Sequence, residues 1–216
     1  MINVQCLGLM PYNAAWQLQQ ELVRQVLADK IGNQLLLLEH PHTITLGRGS
    51  NSEHILTSAE SLNRVGIEVA EIDRGGDVTY HGPGQLIGYP IFKIERAKVD
   101  PHQYLRALEE VLIEALNELG FKAQRDPKYT GVWIDEQKVA AIGVKFNRGP
   151  AGYVTSHGFA LNVNTDLSFF KYIVPCGISE YGVTSLAELR EERIDIVNVE
   201  QPIIKSFQKK FGVCLS

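Results

Sequence analysis

Apolar residues recurring every fourth position, Ala14, Leu18, Leu22 and Val26, predict a helix over Tyr12–Lys30 entered at Pro11, after a short strand at Val4–Leu9. Four consecutive leucines within Gln34–Glu39 predict a short buried strand. Thr43–Gly47 reads as a second strand, and the two suggest a hairpin around His40-Pro41-His42. Ser58 opens a short helical stretch that Gly66 ends, and Ile67–Ile72 returns to strand-like alternation. A segment dense in glycine and proline, Arg74–Pro90, merges into an apolar strand over Tyr89–Ile94. Asp100-Pro101 is a cap followed by a first-turn proline. It opens the clearest helix, with Leu105, Leu108, Leu112, Ala115 and Leu119 on one stripe and Gly120 as the stop. Val132–Ile134, Val139–Phe146 and Tyr153–Val163 read as strands, the last two joined by the turn-rich Asn147–Gly152. A closing helix over Val197–Phe211 places Ile203, Ile204 and Phe207 on one face. Helices and strands mix without strict alternation, which predicts an α+β fold.

Length and charge narrow the function more than the fold. A chain of 216 residues with no repeat, linker or composition break fits one domain, 1–216. A net charge of −4 argues against a general nucleic-acid binder. No apolar run reaches the length of a membrane span, and the first ten residues lack the pattern of a secretory signal. Three cysteines, Cys6, Cys176 and Cys214, are too few for a disulfide framework, so a cytoplasmic protein with reduced thiols is expected. His40 and His42, one residue apart and without a Cys-x-x-Cys partner, do not make a zinc site, and no metal is expected. Trp16 and Trp133 are expected in the core, and Glu188–Glu192 on a solvated face.

Two segments carry candidate chemistry. In Arg74-Gly75-Gly76-Asp77-Val78-Thr79-Tyr80-His81, glycines beside Arg, Thr, Tyr and His would let backbone approach a ligand closely. The plain alternative is a glycine-rich hairpin that only reverses the chain. A phosphate loop is excluded, because the Gly-Lys-Ser/Thr ending is missing. In Pro175-Cys176-Gly177, a stiff and a permissive residue flank a thiol, which suggests a turn that holds it. A cysteine nucleophile needs its thiolate, hence a neighbouring cation or base. Lys138, Lys145, His81 and His157 are the candidates, and spacing does not choose among them. Cys6, within an apolar strand, and Cys214, near the end, have no charged neighbour in sequence.

The run RGGDVTYHGPGQLIGYP from Arg74 resembles the signature of the octanoyl-[acyl-carrier-protein]:protein N-octanoyltransferases, also called lipoate-protein ligase B. GVWI from Gly131, KVAAIGVK from Lys138, HGFALNV from His157, PCGI from Pro175 and TSL from Thr184 follow in the order of that family and span most of the chain. The resemblance implies the fold of biotin- and lipoate-protein ligases, a mixed β-sheet flanked by helices. It implies transfer of octanoyl from octanoyl-acyl-carrier protein to one lysine of a lipoyl domain, as in 2-oxoacid dehydrogenase E2 subunits and the glycine cleavage H protein. A monomer is expected, and exchange of one thioester for another of similar energy needs no cofactor. By the same resemblance Cys176 carries the acyl group and Lys138 is its partner. The acyl-binding stretches fall on Arg74–His81 (Arg74, Gly75, Gly76, Asp77, Val78, Thr79, Tyr80 and His81), on Ala141-Ile142-Gly143 and on Gly158-Phe159-Ala160. Gly75, Gly76, Gly143 and Gly158 are expected to leave room for a slim acyl chain. An acidic carrier calls for a local basic patch, with Arg74, Lys145, Arg148 and Lys171 as candidates. The rival activities are an ATP-dependent lipoate or octanoate ligase on the same fold, octanoyl transfer between two lipoyl domains, and a catalytically dead binding module. The Asn147–Gly152 loop either alters entry to the site or extends a hairpin.

Overall fold

The structure, a computed structural model, describes residues 1–174 and 181–212. In chain order, strand β1 (Asn3–Leu9) precedes helix α1 (Tyr12–Leu27), then come β2 (Gln34–Glu39), β3 (Thr43–Leu46) and α2 (Ala59–Arg64). Next are β4 (Glu68–Glu71), β5 (Val78–His81), β6 (Gln85–Ile91), β7 (Lys93–Glu95) and α3 (Pro101–Glu118). The chain continues through β8 (Val132–Ile134), β9 (Gln137–Arg148), β10 (Gly152–Asn162), α4 (Leu186–Arg190) and α5 (Ile196–Phe211).

Two mixed sheets result. The larger runs β1-β2-β6-β10-β9-β8, with β7 pairing β10 beyond the end of β6; the smaller runs β4-β3-β5. The hairpin expected at His40-Pro41-His42 does not form. β2 pairs with β1 and β6 in the large sheet, whereas β3 pairs with β4 and β5 in the small one. The turn between them carries the chain from one sheet to the other. Likewise β5 and β6 belong to different sheets, so the glycine-rich run is a crossing and not a simple reversal. Asn147–Gly152 does extend a hairpin: Asn147 and Arg148 lie opposite Val154 and Tyr153, and Gly149 N–H donates to the Gly152 carbonyl at 2.8 Å.

Strand alternation explains why β2 is apolar throughout. Leu35 and Leu37 face the core under α3 and α5, while Leu36 and Leu38 face the core under α1. With both faces covered, each leucine is fully buried. In α3, the Asp100 carboxylate accepts from the N–H groups of His102 and Gln103, and Pro101 fills the first turn. The buried face of α3 is broader than the predicted stripe, since Tyr104, Val111 and Leu116 join Leu108, Leu112 and Ala115. In α1 the buried positions are Tyr12, Ala15, Gln19, Leu22, Val23 and Val26, and Ala14 faces solvent. Trp16 is only half-buried, a departure from the expected core position, because the shallow cluster of Tyr12, Ala70 and Ile72 supports it. Cys6 is exposed on the edge strand, where partial burial and the Glu200 carboxylate push its thiol up, away from thiolate. No described helix is long and apolar enough to cross a membrane.

Candidate active site

The middle of β9 and β10, the turn Arg74–Asp77 and the start of α1 enclose one cleft of about 490 Å³, its mouth included. The turn is held by its backbone. Gly75 N–H donates to the Val144 carbonyl at 3.0 Å, and Arg48 N–H donates to the Arg74 carbonyl at 3.0 Å. Arg74, Gly76 and Asp77 reach the cleft from this turn, and Thr79 and His81 from β5. Ala141, Ile142 and Gly143 reach it from β9, and Gly158, Phe159 and Ala160 from β10. The three remaining candidates do not. Val78 and Tyr80 point to the opposite face of β5, into the core of the small sheet, as period-two alternation requires. Gly75 serves through its backbone.

Two of the four glycines also bring backbone close to backbone. A Cβ at Gly143 would stand 2.9 Å from the Gly75 carbonyl oxygen, and one at Gly158 would stand 2.1 Å from that of Gly88. These residues let backbone lie on backbone, drawing the Arg74–Asp77 turn down onto β9. Beside Gly143 and Gly158, the space is bounded by Ile87, Ala141, Ile142, Phe159 and Ala160, an apolar floor.

Polar groups stand at the rim in fixed hydrogen-bond chains. Gln85 Nε2 donates to the Tyr80 carbonyl and to Asn162 Oδ1, which turns Gln85 Oε1 toward His81. His81 Nδ1–H therefore donates to Gln85 at 2.8 Å, leaving Nε2 as an acceptor for the Thr45 hydroxyl at 3.3 Å. Thr45 Oγ1 in turn accepts from Arg74 at 2.9 Å. His40 Nδ1–H donates to the Met10 carbonyl, and its Nε2 accepts from the Tyr89 hydroxyl, both at 2.7 Å. Tyr12 lies against both imidazoles. Tyr12, His40 and Asp73 were not singled out for this site from the sequence. Tyr89 and Ile87 sit inside the glycine-rich run already noted, and Asp73 immediately precedes it.

Burial decides which groups are charged. Burial, helped by the neighbouring His40, pushes His81 down to about 3, and burial pushes His40 down to about 4. Burial also lowers His157, against the pull of Asp73. The Asp73 carboxyl is held well below its ordinary value by the His157 hydrogen bond, at 2.9 Å, and by Lys145. Two of the candidate partners for a thiolate, His81 and His157, are thus neutral imidazoles at pH 7, and Lys145 is already paired with a carboxylate. A pH dependence of stability follows. Unfolded histidines titrate near 6.5, so below that pH the unfolded chain takes up protons that the folded chain refuses. The contribution of His40 and His81 to stability is complete above pH 7, declines as pH falls from about 6.5 to 4, and declines further to about 3 through His81 alone. Urea midpoints measured at pH 7, 5 and 4 (roughly spanning that window) should fall more steeply in the wild type than in His81→Gln; equal slopes contradict this.

Lys138 stands apart. Its Nζ lies 4.9 Å over the Trp133 ring, and the side chain borders a second hollow with Gln85, Asn162, Phe170 and Val183. Thr79, Ala141 and Ala160 line both spaces, so this hollow abuts the cleft. Lys138 is buried, at 7% exposure, on a strand whose backbone meets the chain just after residue 180. Lys138 N–H donates to the Gly182 carbonyl, and Thr184 N–H donates to the Lys138 carbonyl, each at 3.0 Å. Before residue 175, Val174 N–H donates to the His54 carbonyl at 2.8 Å, and the His54 ring pairs with Asp77 at the cleft. Cys176 itself, like Cys214, lies outside the described residues. Of the proposed basic patch, Arg74 is buried and spent on Thr45, and Lys145 is paired with Asp73; Arg148 and Lys171 are exposed.

Residues 11–208 match the family of the lipoyl protein ligase A/B catalytic domain. An octanoyltransferase of Rubrobacter xylanophilus is 51% identical over 206 residues, 95% of this chain and 91% of the relative. The chain belongs to the octanoyltransferase family. A second member, from Caldicellulosiruptor saccharolyticus, is 44% identical over 98% of this chain and 89% of its own length. The protein is accordingly an acyltransferase. Among solved structures, lipoate-protein ligase A bound with ATP superposes with a TM-score of 0.73 at 16% identity, covering 98% of this chain and 85% of that one. The lipoate protein ligase of a bipartite system from Thermoplasma acidophilum gives 0.73 at 18%, covering 97% and 83%. The expected biotin/lipoate-ligase fold, a mixed sheet flanked by helices, is therefore the fold observed.

Proposed function

We propose that this octanoyltransferase moves an octanoyl group from octanoyl-acyl-carrier protein to a lysine of a lipoyl domain, through a thioester on Cys176, in the cytoplasm. The observation that supports the reading most is the 51% identity with a named octanoyltransferase over 95% of the chain. The likeness to the ATP-bound ligase, by contrast, is one of fold at 16% identity.

In the first step the Cys176 thiolate attacks the carrier's thioester carbonyl. The tetrahedral intermediate places negative charge on oxygen and collapses, expelling the carrier thiolate, which takes its proton from the Lys138 ammonium and leaves that amine neutral. One thioester replaces another of similar energy, so no ATP is consumed. A cation at Lys138 favours the thiolate electrostatically. In the second step a neutral acceptor amine attacks the acyl-enzyme, Lys138 takes its proton as general base, and the Cys176 thiolate is expelled as the amide forms. Backbone N–H groups of the glycine-rich turn other than that of Gly75 are the proposed donors to the oxyanion in both steps. The acyl chain lies along Ile87, Ile142 and Phe159, where each buried methylene contributes roughly 0.8 kcal/mol.

The donor decides between this reading and its rivals. With octanoyl-carrier protein and an unmodified lipoyl domain, the enzyme should octanoylate the domain without ATP, and free octanoate plus ATP should give nothing. The reverse pattern establishes an ATP-dependent ligase. Equal rates with an octanoylated lipoyl domain as donor would mark a transferase between lipoyl domains.

A further inference from the structure

The placement of the Lys138 amine needs a cause, because a four-carbon stem with free rotation does not hold an ammonium in one spot unaided. Two neighbours constrain it. Lys138 lies opposite Trp133 in the β8–β9 pairing, and its Nζ sits 4.9 Å over that ring. The indole cannot swing away: its backbone pairs with Gln124 in both directions at 2.9 Å, and its ring meets Tyr181 edge-on at 5.4 Å and Tyr129 at 6.3 Å. On the other side, the stem runs past Gly131, where a Cβ would stand 3.3 Å from Lys138 Cε. Gly131 has φ of +140°, a conformation that suits glycine, and its N–H donates at 3.1 Å to the fully buried Glu109. Arg106 and Arg125 balance the charge of Glu109. Trp133 lines neither the cleft nor the hollow beside it.

We propose that Trp133 is a positioning residue for this reaction, its indole face holding the Lys138 amine in place while Gly131, fixed by Glu109, leaves the stem its path. The proposal rests on the reading of Lys138 as proton carrier. It gives the GVWI segment, otherwise part of the core, a role in turnover. The attraction is that of a cation for the ring face, which any aromatic ring supplies in part and an aliphatic side chain does not.

The test compares Trp133→Leu with Trp133→Phe in transfer from octanoyl-carrier protein to a lipoyl domain. The Leu variant should lose roughly 30-fold in kcat, with KM for the donor within about two-fold, because the acyl cleft is untouched. The Phe variant should keep at least about a third of the wild-type kcat. A Leu variant as fast as wild type, or a Phe variant as slow as Leu, overturns the proposal. A second measurement does not depend on how the Leu variant folds. In a Trp16→Phe background, Trp133 is the remaining tryptophan. Adding Lys138→Met should then change its fluorescence intensity, and unchanged emission overturns the placement. Should Lys138→Met remain fully active, the reading of Lys138 fails, and the fluorescence change still reports where the amine sits; the two failures are distinct.

Discussion

Cys176→Ala is expected to lose octanoyl transfer by about 10³-fold or more, while octanoyl-carrier protein still binds with nearly unchanged affinity. The reason lies in how the work divides. In the proposed mechanism the apolar floor of Ile87, Ile142, Phe159 and Ala160 holds the acyl chain, and none of these groups can form a bond to it. Without the sulfur, the acceptor amine must attack the carrier thioester directly, and only orientation and oxyanion stabilisation remain. Groups that act as one unit do not lose rate additively, so the double variant with Lys138 should be hardly slower than Cys176→Ala alone. The thiol among the described residues offers no substitute, because Cys6 is exposed on β1, among none of the cleft residues, with its thiol pushed up by partial burial and Glu200. Transfer kinetics at saturating donor, with binding of octanoyl-carrier protein followed in parallel, measure both halves of the expectation. A Cys176→Ala enzyme within about ten-fold of wild type would exclude a covalent route.

The second large effect is expected at Lys138. Lys138→Met keeps the length and apolar character of the stem, so packing against Gly131 and Trp133 is retained and the unfolding midpoint should move little. Transfer should fall by roughly 10²–10⁴-fold, the range typical of a lost general acid–base. Of the four candidate partners for the thiol, burial leaves His81 and His157 neutral and weakly basic and Asp73 engages Lys145, so none of these three is a ready replacement. Stopped assays should show slow acylation as well as slow transfer, because one amine serves both steps. Normal acylation with blocked transfer would assign Lys138 to the second step alone, and unimpaired transfer would remove it from the mechanism.

The elements were legible in the sequence wherever one periodicity ruled. α3 and α5 carry their buried stripes in plain sight, and the twelve-residue β9 differs from its expected Val139–Phe146 only by extending at both ends. Partner choice was not legible. β2 and β3 are separated by three residues, the spacing of a hairpin, yet they pair in different sheets. What sends them apart is the covering of β2 on both faces by α1 and by α3 with α5, a demand of the whole fold that no local pattern states. The Arg74–His81, Ala141–Gly143 and Gly158–Ala160 motif runs converge on one cleft. They did not tell which side chains of a run face it. Alternation along β5 does, sending Thr79 and His81 inward and Val78 and Tyr80 away. The rim groups Tyr12 and His40 come from segments with no motif of their own, and only the folded packing of α1 beside β6 brings them together.

Mass spectrometry of the wild-type enzyme mixed with octanoyl-carrier protein in the absence of acceptor decides whether the acyl group passes through the enzyme. The expected result is a mass gain of one octanoyl group, released by hydroxylamine, mapped to the peptide that contains Cys176, and discharged when a lipoyl domain is added. An enzyme that transfers octanoyl at full rate while no such adduct forms, or that carries it on another residue, would contradict it.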